Sequence, residues 1–167
     1  MGIFFKKIEN MTFEEYISTL NEEQREFAME VISKYKESLA TLLPSISDAE
    51  DVVSMLRPKL ENNLQEESWI VFLNENNMVK KVERIGLGGM TTTIFDVRVI
   101  LRKALLLSAT KIIMVHNHPS QKCKPSNVDD ELTKRIKKAV ELVNVKLLDH
   151  IIICNKDYYS YQENGKI

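Results

Sequence analysis

The spacing of hydrophobic and polar positions along the chain first changes period near residue 68. Before that point Phe13, Tyr16, Ile17, Leu20, Phe27, Val31, Ile32 and Tyr35 recur at helical spacing. They follow Thr12-Phe-Glu-Glu15, a capping box in which a hydroxyl and a carboxylate satisfy each other's backbone N–H groups. The pattern predicts one or two helices over about 12–42, closed by Pro44. A second box, Ser47-Asp-Ala-Glu50, opens a helix carrying Val52, Val53 and Leu56, which Pro58 kinks or ends. From residue 68 onward Trp69-Ile-Val-Phe-Leu73 reads as a strand and Asn74-Glu-Asn-Asn77 as a turn. Met78 to about Leu87 is its antiparallel return, stopped by Gly86, Gly88 and Gly89. Phe95 to Ser108 is helical, and Ile112-Ile-Met-Val115 is a short apolar run expected of a strand buried on both faces. A loop over about 116–125 leads into an amphipathic helix from Ser126 to about Asn144, apolar at Val128, Leu132, Ile136, Val140 and Val143. Leu147–Cys154 and Tyr158–Tyr161 close the chain as strands. The order ββ-α-β-α-ββ predicts an α/β fold: a three-layer α/β/α sandwich with a mixed sheet, preceded by N-terminal helices. The expected division is a helical N-terminal region over 1–62 and an α/β domain over 63–167.

Composition adds exclusions more than assignments. The 167 residues are 44% apolar and 28% charged, the proportions of a folded chain that needs no disulfide or structural metal to close a core. No apolar run reaches the ~18 residues of a membrane span, so no membrane partner is expected. Met1-Gly-Ile-Phe-Phe-Lys6-Lys7 has too short an apolar stretch for a secretory signal, and Lys6 stands where a myristoylation motif needs Ser or Thr. Cys123 and Cys154 form neither a zinc knuckle nor a CxxC pair, and two free thiols in a reducing cytoplasm are expected. The net charge of −1 conceals an asymmetry: residues 1–65 hold 7 basic and 12 acidic groups, residues 66–167 hold 16 and 12.

The candidate chemistry sits where the buried strand ends. His116-Asn-His118-Pro119 follows Val115 directly, and Ser126-Asn-Val-Asp129 lies six residues past the proline. Side chains two apart on a strand share a face, so both imidazoles can offer a nitrogen to one ion. Asp129, in the first turn of the next helix, can close the set across the loop. Two imidazoles and one carboxylate leave a fourth tetrahedral position open, as in catalytic zinc sites, where a bound water reaches a pKa of about 7. Ser126 is the hydroxyl near such a metal. Ser126-x-x-Asp129 is also a capping box, which alone accounts for both residues. A hydrolase needs a general base, and Glu66 and Glu67 both stand just before the first strand. Glu66 shares a face with Ser68, Ile70 and Phe72, and Glu67 with Trp69, Val71 and Leu73; the pattern does not choose between them.

His116-Asn-His-Pro119-x6-Ser126-x2-Asp129 resembles the JAMM signature of the JAB/MPN metalloproteases, and with Leu148-Asp-His-Ile-Ile152 it is similar to the RadC family. Glu66 before the strand ending Leu73-Asn74, the segment Asp96–Leu105 and Tyr159-Ser160 agree, so the resemblance covers roughly residues 48–164. It implies the cytidine-deaminase-like α/β/α sandwich, Zn²⁺ held by His116, His118 and Asp129, Glu66 as the base and Ser126 stabilising an oxyanion. It further implies hydrolysis of peptide or isopeptide bonds in a peptide or protein substrate. Gln121 replaces the glycine that usually follows His-Asn-His-Pro-Ser. Residues 1–45 carry nothing like the helix-hairpin-helix module of longer members, so direct DNA binding is possible but weakly supported.

The alternative expectation is a nucleic-acid-linked accessory of DNA repair or mobile elements. The letters His-Asn-His do not support an HNH nuclease, whose residues come from separated positions. Lys122, Lys124, Lys134, Arg135, Lys137 and Lys138 gather near the site, most on the outer face of a helix. His150, opening an apolar strand, is expected to make structural hydrogen bonds, with a contact to the metal ligands or substrate as the alternative.

Overall fold

The computed structural model describes residues 11–42, 44–61, 63–88 and 95–167. The N-terminal stretch Met1–Lys7 and Gly89, both read above, lie outside the described residues. The chain divides into two compact units, one ending at Leu42 and one running Leu43–Ile167. The first unit contains α1 (Phe13–Ser18) and α2 (Glu22–Leu42). Thr12 and Glu15 form the expected capping box. Asn21 and Gln24 repeat that exchange at the start of α2, with backbone-to-side-chain bonds of 3.1 and 2.9 Å, so the predicted stretch is two helices.

The second unit begins with α3 (Ala49–Leu60). Its capping box is Asp48 with Asp51, one residue along from the expected pair. Asp51 accepts from the backbone N–H of Ser47 at 2.7 Å and also of Asp48, which fixes the start there. Pro58 does not end the helix. It lies in the last turn, and Glu61 N–H still bonds the Arg57 carbonyl at 3.0 Å.

Five strands follow: β1 (Glu67–Leu73), β2 (Val79–Leu87), β3 (Lys111–Asn117), β4 (Lys146–Cys154) and β5 (Asp157–Ser160), in sheet order β2-β1-β3-β4-β5. Only β3 and β4 are parallel, joined through α5 (Asn127–Glu141); the other neighbours are antiparallel. The mixed sheet is thus as expected. Alternation along β1 sends Val71 and Leu73 to one face and Ile70 and Phe72 to the other. The first face packs on Val52, Val53, Leu56 and Leu60 of α3. The second packs on Ile100 and Ala104 of α4 (Val97–Leu106) and Ile136 and Val140 of α5. Three layers result, and α3 is one of them. The boundary anticipated at residue 62 therefore falls inside this unit, because the apolar stripe of α3 has its burial partner in the sheet.

One irregularity matters for the site. Ile112 pairs with Leu147 but Ile113 pairs with Asp149, so Leu148 is an extra residue in β4. Such a bulge reverses the facing of all residues beyond it. It brings His150 to the α5 side of the sheet, where its ring reaches Thr133.

Cys123 and Cys154 are joined as a disulfide, their Cα atoms 5.6 Å apart. This corrects the expectation of two free thiols. The loop after β3 turns back over the end of β4, where Asn155 N–H bonds the Gln121 side-chain oxygen at 2.5 Å, and this return brings the two cysteines together. Gln121 holds φ +62°, so it keeps the left-handed backbone that its usual glycine takes more cheaply. Cys123→Ser is expected to lower stability by about 3–4 kcal/mol, the cross-link closing a loop of 31 residues. Urea unfolding of oxidised protein against the variant measures it.

Candidate metal centre

His116 is the next-to-last residue of β3 and His118 follows the strand immediately. Strand alternation brings their rings together, Nε2 to Nε2 at 3.0 Å. Asp129 in the first turn of α5 approaches both, with Oδ1 3.4 Å from His116 Nε2 and Oδ2 3.7 Å from His118 Nε2. Glu66 Oε1 lies 3.8 Å from His116 Nε2. One ligand atom from each of these four residues fits within 4.8 Å of the others. Ligands about 2.0–2.1 Å from a tetrahedral zinc stand roughly 3.3 Å apart, so the donor set fits such an ion. The side chains of His116 and Asp129 are 0% and 4% exposed, those of Glu66 and His118 17% and 15%, so the cluster opens to solvent on the Glu66–His118 side.

The sheet register separates the two glutamates. Ser68 pairs with His116 across β1 and β3, and Glu66, two residues before Ser68, shares its face. Glu67 turns the other way. Its carboxylate accepts from Trp69 Nε1 at 2.9 Å and pairs with Arg84 at 3.2 Å. Asn117, between the histidines, holds this segment in place. It accepts from Glu67 N–H at 2.7 Å and donates to the Gln65 carbonyl at 3.0 Å, while Gly88 N–H donates to the Glu66 carbonyl at 2.7 Å. Sequence reading missed Asn117. Its signal was a buried-side polar residue between two candidate ligands.

Ser126 caps α5, and its hydroxyl and N–H both donate to Asp129 Oδ2, at 2.6 and 2.8 Å. Capping and ligation are therefore compatible: Ser126 occupies Oδ2, and Oδ1 faces His116. The hydroxyl expected to serve an oxyanion is engaged with Asp129 instead. His118 Nδ1 stands 2.7 Å from the Lys122 carbonyl, which can only accept, so its proton is on Nδ1 and Nε2 turns to the cluster. His150 is fully buried, with Nε2 2.8 Å from His116 Nδ1. The basic residues of α5 lie where expected, Lys134, Arg135 and Lys138 exposed on the outer face, with Lys134 paired to Glu131.

Electrostatics separate the carboxylates. Burial raises Glu66 above its ordinary range, the His118 charge opposing and Asp129 adding to the shift. Burial also acts to raise Asp129, but the neighbouring His118 and His116 rings and the Ser126 hydrogen bonds outweigh it and hold the group well below the ordinary range. Burial pulls His118 down, yet Asp129, the Lys122 carbonyl and Glu66 together leave it raised. Burial holds His116 well below its usual value and His150 at about 4. An unfolded histidine titrates near about 6.5, so between about pH 6.5 and 4 His116 and His150 bind more protons unfolded than folded, while the raised His118 and Glu66 act in the opposite sense. Through His116 and His150 the metal-free protein is expected to lose stability as pH falls through that window. His150 alone contributes on the order of 3 kcal/mol, read as a lower urea midpoint at about pH 4.5 than at about pH 7.

A family model described as the RadC-like JAB domain matches residues 46–166. The chain belongs to the RadC-like JAB-domain family. The matched span coincides with the second unit, so the RadC-like domain is the sheet with its three flanking helices, and its cluster of Glu66, His116, His118 and Asp129 is a site able to hold a metal ion. The domain is similar to a UPF0758 protein of Flavobacterium johnsoniae, 39% identical over 123 residues, which are 74% of this chain and 54% of the relative. A UPF0758 protein of Porphyromonas gingivalis is 38% identical over 122 residues, 72% and 54% of the two chains, and one of Chlorobaculum tepidum 34% identical over 120, again 72% and 54%. The chain spans about half the length of these curated relatives. No described helix is long and apolar enough to cross a membrane.

Proposed function

We propose that the RadC-like domain is a zinc-dependent hydrolase of peptide or isopeptide bonds, in which His116, His118 and Asp129 hold the ion and Glu66 moves the proton. The observation that carries this reading is the facing pair of imidazole Nε2 atoms 3.0 Å apart, with carboxylate oxygens at 3.4 and 3.8 Å. Lone pairs and carboxylates crowded at that range repel one another unless a proton or a metal ion stands among them, and four donors from three elements suit the metal ion. Zinc bound there would polarise a substrate carbonyl and acidify a water. Glu66, raised by burial, accepts a proton from that side of the site and returns it to the departing amine. Ser126 enters the mechanism through Asp129, holding Oδ2 so that Oδ1 turns to the ion. Direct contact of Ser126 with an oxyanion requires its hydroxyl to leave Asp129.

The substrate is a peptide or protein that reaches the open Glu66–His118 side. Metal analysis of zinc-loaded protein, paired with cleavage of a peptide library, tests the proposal. Stoichiometric zinc and cleavage abolished by a chelator are expected; protein that takes up no stoichiometric metal ends the reading. A cytoplasmic location is part of the proposal, and the Cys123–Cys154 disulfide stands against it, since such bonds persist mainly in oxidising compartments. Thiol trapping in cells that finds the two cysteines largely reduced supports it, and finding them fully oxidised opposes it.

A further inference from the structure

We propose that Thr133 and His150 are positioning residues that set which nitrogen of His116 carries its proton, leaving His116 Nε2 bare toward the metal. The inference rests on the metal-site reading above and extends it one step outward. It follows from counting protons along a buried chain of contacts.

The chain starts at Asp129 itself. The Thr133 hydroxyl donates to the Asp129 backbone carbonyl at 2.6 Å, one turn earlier in α5. A hydroxyl has one proton, so with that proton used, Thr133 Oγ1 can only accept from its second partner, His150 Nδ1 at 2.6 Å. His150 therefore carries its proton on Nδ1, and its Nε2 is an acceptor. The atom facing that Nε2 is His116 Nδ1, at 2.8 Å, which must donate. His116 then has no proton on Nε2, the atom 3.0 Å from His118 Nε2 and 3.4 Å from Asp129 Oδ1. A carbonyl, which can never donate, thus dictates the tautomers of two histidines in series.

Packing holds the relay rigid. Thr133, His150 and His116 are all buried. The His150 ring is stacked on Tyr161, centroids 4.8 Å apart and planes 17° apart, and meets the edge of Phe95 at 5.9 Å. Tyr161 is anchored in turn by its hydroxyl, which donates to Asp130 at 2.8 Å. The bulge at Leu148 puts His150 on this face. Because the relay begins on the backbone of one proposed ligand and ends on the ring of another, it also ties α5 to β3 at the cluster.

Two measurements test this. In metal-free wild-type protein, long-range ¹H–¹⁵N correlation of the imidazoles reads each tautomer directly, and the chain has only 3 histidines to assign. Nδ1–H is expected for both His150 and His116; Nε2–H on His150 overturns the proposal without any variant. The second measurement is zinc affinity, by competition with a chromophoric chelator. His150→Phe, which keeps the stacked ring but removes both nitrogens, is expected to weaken binding by about 10–100-fold. Thr133→Val is expected to act in the same direction, and Thr133→Ser, which restores the hydroxyl, to bind like wild type. Folded Phe and Val variants that bind zinc as tightly as wild type overturn the relay while leaving the metal site intact. Wild-type protein that binds no zinc overturns the reading beneath it instead.

Discussion

Glu66→Gln is expected to lower peptide hydrolysis by about 10²–10⁴-fold while leaving zinc content unchanged. Glutamine keeps the shape of the side chain and its place before β1, so the three closer donors still surround the ion. It removes only the group that can take up a proton. The effect should be specific to this position. Glu67→Gln is expected to leave turnover near the wild-type value, because Glu67 faces Trp69 and Arg84 on the opposite side of the strand. Its ion pair with a half-exposed arginine contributes about 0–1 kcal/mol to stability. The paired variants, assayed for cleavage and for bound metal, separate a base from a neighbouring surface charge. Equal activity of Glu66→Gln and wild type removes Glu66 from the mechanism; loss of zinc from the Gln variant makes it a ligand.

Asp129→Asn is expected to remove most of the stabilisation by zinc. The substitution separates two roles that the sequence left superimposed. As a cap, Asp129 accepts from Ser126 through Oδ2, and an amide oxygen can replace that acceptor at a cost below about 1 kcal/mol. As a ligand, it brings carboxylate oxygens to 3.4 Å from His116 Nε2 and 3.7 Å from His118 Nε2. Loss of one ligand costs roughly 3 kcal/mol, about two decades in affinity. With zinc at about 100 times the wild-type Kd, wild-type protein gains about 2.7 kcal/mol of unfolding free energy and the Asn variant about 0.4. Chemical denaturation with and without zinc reads the difference. An Asn variant that gains as much from zinc as wild type reduces Asp129 to a cap.

Most of the elements were legible because each rests on a local pattern. Helices α4 and α5 and strands β1 to β5 begin and end within a few residues of the changes in hydrophobic period. His116 and His118 could be paired from their spacing, since two residues apart on a strand is one face whatever surrounds it. The α3 cap was misplaced by one residue because Ser47, Asp48, Glu50 and Asp51 all offer suitable side chains, and only the observed bonds to Asp51 single out the start.

What the amino-acid order determined by itself was therefore the set of elements, the mixed α/β class and the His-x-His and Ser-x-x-Asp pieces of the site, all consequences of interactions within a few residues. The tertiary structure decided the rest. Pairing of Ser68 with His116 chose Glu66 over Glu67, which requires a partner strand far along the chain. The extra residue at Leu148 turned His150 toward His116, and no glycine marks the bulge. The returning loop joined Cys123 to Cys154, and the sheet gave α3 its place in the second unit. Each depends on which distant segment fills a given face, and burial energy is settled only when that face finds its partner.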